Sequence, residues 1–142
     1  MVAASGERDG CLIGFATQCS IHPPRFIACI SKENRTFDAV QAAEAIVVHF
    51  LGQAQRELAE LFGGETGDEV NKFERCAWSD GPFGIPVLED APGWFAARIR
   101  ERLDAGDHVA LLLDLVEAQD RGGPLDLGFQ DAKGIHPGHP VP

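Results

Sequence analysis

A pair of prolines separates two very different segments near the start of the chain. A polar turn precedes Pro23 and Pro24, and an apolar strand over 25–30 follows them and runs directly into a basic, hydroxyl-rich turn. Prolines force the chain and the residue before them into an extended path, so the strand begins immediately after the pair. This order of loop, strand, basic turn and helix start predicts a site that holds a phosphate beside a flat ring at a sheet edge.

The turn after this strand carries groups that bind phosphate. Lys32 and Arg35 supply positive charge, Ser31 and Thr36 supply hydroxyl donors, and Asn34 lies in the same turn. Thr36 also fits the N-cap of a helix, whose first N–H groups attract anions. We expect these five residues to bind the phosphate. The alternative is a capped helix with two solvated basic side chains.

The segment before the prolines supplies the other half of the predicted site. Backbone groups of Gly14, Phe15 and Ala16, at the end of an apolar run, can match the donors and acceptors on the edge of a flat ring. Thr17 and Gln18 add side-chain donors. The alternative is an ordinary exit from a strand into a loop.

The composition is that of one globular domain spanning residues 1–142. Of these residues 44% are hydrophobic, which is ordinary for a chain of this length that buries its own core. No apolar run approaches the roughly 20 residues that span a bilayer, and the start of the chain has no secretory signal. We therefore expect a cytoplasmic protein that does not bind a membrane.

Charge and residue spacing argue against two classes of function. The formal net charge is −10, and an acidic surface repels the phosphates of nucleic acids. None of the four cysteines forms a Cys-x-x-Cys pair, and the histidines lack metal-ligand spacing. We expect neither a nucleic-acid partner nor a metal site.

Hydrophobic periodicity and turn residues predict a mainly β chain with peripheral helices. Strands are expected at 11–16, 25–30, 45–51, 94–103, 108–118 and 125–129. Helices are expected at 37–43 and 53–62, with a short one over 67–73, a loop over 76–92, frayed residues over 1–9 and an extended tail over 130–142. Since strands and helices do not alternate steadily, the pattern favours an antiparallel barrel over a parallel doubly wound sheet.

Six landmarks in this order resemble the flavin reductase-like family, whose members share the FMN-binding split β-barrel. Ser-Ile-His-Pro-Pro at 20–24 stands for the family's Ser-x-Asp-Pro-Pro. The others are the strand and phosphate turn over 27–36, the Gln-x-x-Leu-Ala-x-x-Phe helix at 55–62, Lys-Phe at 72–73, Pro-Val-Leu at 86–88 and Ala-Gly-Asp-His at 105–108. Two departures accompany them. Gly14 and Phe15 replace two serines that would help hold the flavin. The family's usual N-terminal strand and helix are missing before Gly10, so the chain is either a short version or starts inside the usual domain.

The resemblance implies an enzyme that binds FMN and transfers hydride from NADH or NADPH to the flavin. It further implies that His108 lies near the reactive face of the flavin and assists catalysis, that the protein is a homodimer, and that reduced flavin serves a partner monooxygenase. The alternatives are a non-catalytic flavin-binding or interaction protein of the same fold and a relative that binds a deazaflavin.

Overall fold

In the computed structural model, which describes residues 2–4, 8–66 and 68–141, nine strands make up most of the regular structure. The strands are β1 (Val2–Ala4), β2 (Arg8–Gly10), β3 (Phe15–Ser20), β4 (Arg25–Ser31), β5 (Ala45–Phe50), β6 (Trp78–Asp80), β7 (Pro86–Leu88), β8 (Gly93–Asp104) and β9 (His108–Asp120). The helices are α1 (Thr36–Ala42), α2 (Arg56–Gly64) and α3 (Phe129–Ala132), with 3-10 turns at Gln53–Gln55, Lys72–Glu74 and Pro82–Gly84.

Seven of the strands form one sheet in the order β2-β1-β5-β8-β9-β4-β3, and β6 and β7 form a separate hairpin. Each pair of neighbours is antiparallel. The long hairpin of β8 and β9 lies at the centre, because strands of 12 and 13 residues joined by a short turn pair along most of their length. The prediction of a mainly antiparallel β structure with peripheral helices is confirmed.

The sheet buries apolar side chains on both faces, as the alternation along β5 shows. Ile46 and Val48 join one core with Val40 of α1, whereas Ala45 and Val47 join a second core with α2 and the β6–β7 hairpin. Successive side chains of a strand point to opposite faces, so a strand buried on both sides is a continuous apolar run. The predicted strand over 45–51 is confirmed for this reason, as are those over 25–30, 94–103 and 108–118.

Three predictions near the N-terminal half are wrong. Residues 11–14 are not in a strand, because the Leu12 N–H is bound by the carbonyl of Phe62 at 3.0 Å and the chain, which leaves the sheet after Gly10, returns to it only at Phe15. Within the predicted frayed segment, residues 2–4 and 8–9 pair as strands, while residues 1 and 5–7 lie outside the described residues. The predicted N-cap Thr36 is instead the first residue of α1, preceded by Arg35 as the N-cap.

Predictions after α2 also need correction. The expected helix over 67–73 is a turn at 68–69 followed by the 3-10 turn, with Gly67 outside the described residues. The expected loop over 76–92 contains the β6–β7 hairpin, because the Trp78 ring packs edge-on against Phe73 and anchors it. The expected strand over 125–129 finds no partner in the sheet, and α3 interrupts the extended tail.

No helix among the described residues is both long and apolar enough to cross a bilayer.

Candidate functional site

A cavity of about 540 Å³ opens between the sheet and the C-terminal residues 125–141. Its walls come from β3, β4 and β5, from one side of α2, and from the tail that crosses outside them. Six residues of the predicted site line it: Gly14, Phe15, Ala16, Ser31, Asn34 and His108. These six residues come from three separate segments of the sequence, and the fold brings part of each segment to one cavity.

The pairing of three neighbouring strands explains this convergence. Phe15 of β3 lies opposite Cys29 of β4, and Ser31 at the end of β4 lies opposite His108 at the start of β9. The segment predicted to hold the ring, the start of the basic turn and His108 therefore lie on three adjacent strands. The Phe15 ring contacts the His108 ring, with 5.3 Å between centroids and 57° between planes.

His108 is oriented by its neighbour. Its Nδ1 lies 2.6 Å from the Asp107 carboxylate, and its side chain is only 20% exposed. A neutral ring that donates its Nδ1–H to this carboxylate carries the lone pair on Nε2, the other ring nitrogen. The contact with Asp107 therefore holds the histidine in one orientation at the cavity wall. A residue that transfers a proton or positions a ligand needs such a fixed orientation.

The two basic residues of the predicted phosphate turn bind carboxylates. Lys32 Nζ lies 2.8 Å from Asp104 Oδ1, and the Lys32 N–H donates to the Asp107 carbonyl at 2.9 Å. The hydrogen bond from Lys32 lowers the pKa of the Asp104 carboxyl. Lys32 thus joins the basic turn to the β8–β9 turn that carries His108, and it stands beside the cavity and not in its lining.

The side chains of Arg35 and Thr36 are directed away from the cavity lining. Arg35 Nε lies 2.9 Å from Asp68, and one of its terminal nitrogens lies 3.7 Å from the buried carboxylate of Asp9. Thr36 is fully buried, and its N–H is bound by the Asn34 side chain at 3.1 Å. Neither residue lines the cavity, so in this state the turn presents Ser31 and Asn34 to it.

Thr17 and Gln18 also lie away from the cavity. Both are exposed on β3, and the Gln18 amide donates to the Ser20 carbonyl at 3.1 Å, where the register of β3 shifts. Gln18 instead lines a second cavity of about 470 Å³, on the far side of Phe26.

His49 of β5 also lines the cavity and was not among the predicted site residues. Its Nε2 accepts a hydrogen bond from the Leu88 N–H at 3.0 Å, and burial lowers its pKa to about 3. The ring is therefore neutral at physiological pH, with its proton on Nδ1. Nδ1 is buried and has no partner within the part of the chain that the structure describes. An apolar strand with one polar residue was the only signal in the sequence.

A buried lysine stabilises the segment that leads into the cavity lining. Lys72 is 4% exposed, and its Nζ donates to the carbonyls of Gly10 and Phe62 at 2.9 and 3.3 Å. Burial lowers the pKa of this ammonium group and raises the pKa of the nearby Asp9 carboxyl. Lys72 thereby fixes the end of α2 against β2, immediately before the segment that enters the cavity wall.

Within residues 2–4, 8–66 and 68–141, no group of three or more His, Cys, Asp or Glu side chains is arranged to hold a metal ion.

Comparison with known proteins identifies the family. The model of the flavin reductase like domain matches residues 1–133. The chain belongs to this family. Among curated relatives of this flavin reductase-like domain, the FMN reductase (NADH) RutF 2 of Rhizobium rhizogenes is 32% identical over 131 residues, covering 89% of this chain and 75% of that protein. A probable flavin reductase of Rhizobium meliloti is 26% identical over 132 residues, which are 90% of this chain and only 41% of that protein.

Solved structures confirm the fold class. The flavin reductase domain protein from Arthrobacter sp. FB24 aligns with a TM-score of 0.78 at 28% identity, covering 86% of this chain and 75% of that one. An FMN-binding protein from Thermus thermophilus aligns with the same TM-score at 25% identity, over 84% of this chain and 67% of that one. The flavin reductase-like domain therefore has the split-barrel fold predicted for it.

Proposed function

We propose that this chain is a flavin reductase that binds FMN in the 540 Å³ cavity and takes its reducing equivalents from NADH or NADPH. One observation carries the proposal. The strand pairing brings Gly14–Ala16, Ser31 and His108 to one cavity in a chain that belongs to the flavin reductase-like family.

The cavity suits a flat, mostly apolar ring with a polar edge. Its lining is largely apolar, and ligand sites of several hundred cubic ångströms commonly combine such a lining with a few polar groups. In this proposal the backbone of Gly14, Phe15 and Ala16 orients the ring edge, with Thr17 and Gln18 at the outer end of the same strand. The His108 ring contacts the Phe15 ring at the cavity wall.

The phosphate is proposed to bind at the turn formed by Ser31, Lys32, Asn34, Arg35 and Thr36. Ser31 and Asn34 already line the cavity, and Lys32 is adjacent to them. The ion pair between Lys32 and Asp104 is exposed, so exchanging this carboxylate for a phosphate costs little free energy. Arg35 and Thr36 are proposed to hold the turn in place, since Arg35 pairs with Asp68 and Asp9 and Thr36 is buried.

A bound flavin accepts a hydride from the reduced nicotinamide, and the protein aligns the two rings. His108, held by Asp107, is proposed to seat the nicotinamide or to carry a proton at Nε2. Relatives named as NADH-dependent FMN reductases favour NADH as the donor. A homodimer and a partner monooxygenase complete the proposal. A solved neighbour is named nitrilotriacetate monooxygenase component B.

The test is an absorbance assay on the purified chain. With FMN present, the protein should oxidise NADH or NADPH catalytically, and His108→Ala should slow the reaction while retaining FMN. Absence of both flavin binding and turnover in a folded sample would contradict the proposal.

A non-catalytic flavin-binding protein is the second candidate, and one observation favours it. Gly14 and Phe15 stand where the family pattern has two serines that would help hold the flavin. Flavin binding without nicotinamide oxidation would support this candidate.

A further inference from the structure

The outer wall of the cavity is the chain's own C-terminal segment. Residues 125–141, called here the strap, run across the mouth between α2 and β3. The strap contributes mostly apolar lining through Leu125, Leu127, Phe129, Ile135, Pro137 and Val141. The side of the cavity opposite the strands is therefore made by a segment with no strand partner.

Phe129 occupies the surface on which a flat ring would lie. A side-chain carbon at Gly14 would stand 3.4 Å from the Phe129 ring, and the Phe129 and Phe15 rings are 6.0 Å apart with 33° between planes. That geometry is a favourable aromatic contact. It leaves no space for another ring between Phe129 and Gly14.

The strap is held by few interactions. Two backbone–backbone bonds tie it to the described domain, from Leu127 N–H to the Leu51 carbonyl and from Gly138 N–H to the Gly63 carbonyl, both 3.2 Å. Three more bonds involve side chains: the Asp126 carboxylate accepts from the Gln53 N–H at 2.8 Å, the Gln53 amide donates to the Asp126 carbonyl at 3.4 Å, and the Arg56 guanidinium donates to the Asp131 carbonyl at 3.1 Å. Phe129 remains 53% exposed, and α3 is a single turn. Segments with few buried contacts and exposed hydrogen bonds open at low free-energy cost.

We propose that the strap is an autoinhibitory element whose Phe129 ring competes with an aromatic ring ligand for the Gly14–Phe15 surface. The strap moves aside when the ligand binds. The inference rests on the proposed function for the identity of the ring as a flavin; the competition itself applies to any flat aromatic ligand. The apparent affinity then equals the intrinsic affinity multiplied by the fraction of molecules with the strap open.

The experiment compares the full chain with Phe129→Ala, using Gln130→Ala as a matched control in the same helical turn. Riboflavin, which lacks the phosphate, is the first probe. Phe129→Ala should bind it roughly three- to ten-fold more tightly than the wild type, and Gln130→Ala should not differ. Weaker or unchanged riboflavin binding by Phe129→Ala would overturn the proposal.

Hydrogen exchange supplies a second, independent readout. Saturating riboflavin should accelerate amide exchange in residues 125–141, because the ligand displaces the strap. Slower exchange there would show that the strap closes over the ligand as a lid, and would overturn autoinhibition.

A second ligand distinguishes failure of this inference from failure of the proposed function. If neither protein binds riboflavin, the proposed flavin site fails, and anilinonaphthalene sulfonate then tests the strap alone. Stronger binding of this probe by Phe129→Ala than by Gln130→Ala would support a strap that covers the cavity. Equal binding would overturn it.

Discussion

The two walls of the cavity are built in opposite ways. The strand wall is a set of long antiparallel pairs, and its lining residue Ile30 is only 1% exposed. The strap wall lies outside the sheet, and its central ring, Phe129, is 53% exposed. Both walls are apolar, yet only the first belongs to the folding core.

The strand wall therefore contributes mainly to folding stability, whereas the strap mainly affects the access of a ligand to the cavity. The strand wall holds the candidate ligand groups in a fixed arrangement, since Ser31 and His108 face each other across paired strands. The strap has little effect on that arrangement but covers it. Substitutions in the first wall should therefore act mainly on unfolding, and substitutions in the second mainly on binding.

The largest expected effect is the loss of folding stability when a side chain of the strand wall is truncated. Ile30→Ala removes a buried side chain from the main core and should lower the free energy of unfolding by about 2–5 kcal/mol. Leu127→Ala, from the half-buried strap, is the matched comparison and should cost about 1 kcal/mol or less. Denaturant unfolding measures both, and equal losses would contradict the distinction between the walls.

The acid sensitivity of the strand wall should depend on His49. The pKa of this histidine is lowered from 6.5 to about 3 by burial, so the unfolded chain binds its proton first as the pH falls. Stability is therefore lost progressively below about pH 6.5, by about 2 kcal/mol between pH 7 and pH 5.

His49→Gln removes this titration and should flatten the stability profile over that range. Unfolding curves at several pH values test it. An unchanged slope in His49→Gln would show that His49 does not cause the acid sensitivity.

The strand wall supplies His49 and His108 to the cavity and the strap supplies His139, and the roles of His108 and His139 should differ. His108→Ala, in the strand wall, should lower turnover with NADH and FMN at least about ten-fold. His139→Ala, in the strap, should change it less than about two-fold, because His139 bonds only the adjacent Pro140 carbonyl in the described part of the chain. Equal losses in both variants would contradict a special role for His108.

The strand wall was predictable from sequence and the strap was not. Runs such as 25–30 and 45–51 contain the β-branched residues that fit a buried strand, and each formed one. The segment 125–129 contains no β-branched residue and is interrupted by Asp126 and Gly128. It pairs with no described strand, as expected of a segment with low strand propensity.

Six of the predicted site residues meet at the cavity, whereas the contacts of the others were not predictable from the sequence. Gly14–Ala16, Ser31, Asn34 and His108 meet as their order in the family pattern implies. The carboxylates that hold Lys32 and Arg35 come from Asp104 and Asp68, which are distant in sequence. The spacing of residues along the sequence predicts neither these ion pairs nor the burial of Thr36.

The most direct test of the account is titration of FMN and riboflavin into two variants that break the same ion pair. Lys32→Ala should weaken FMN binding roughly three- to five-fold and leave riboflavin binding unchanged, because only FMN carries the phosphate. Asp104→Asn keeps the acceptor for the Gly106 N–H but releases Lys32, and should strengthen FMN binding. If FMN affinity is the same in both variants as in the wild type, the basic turn does not bind the phosphate.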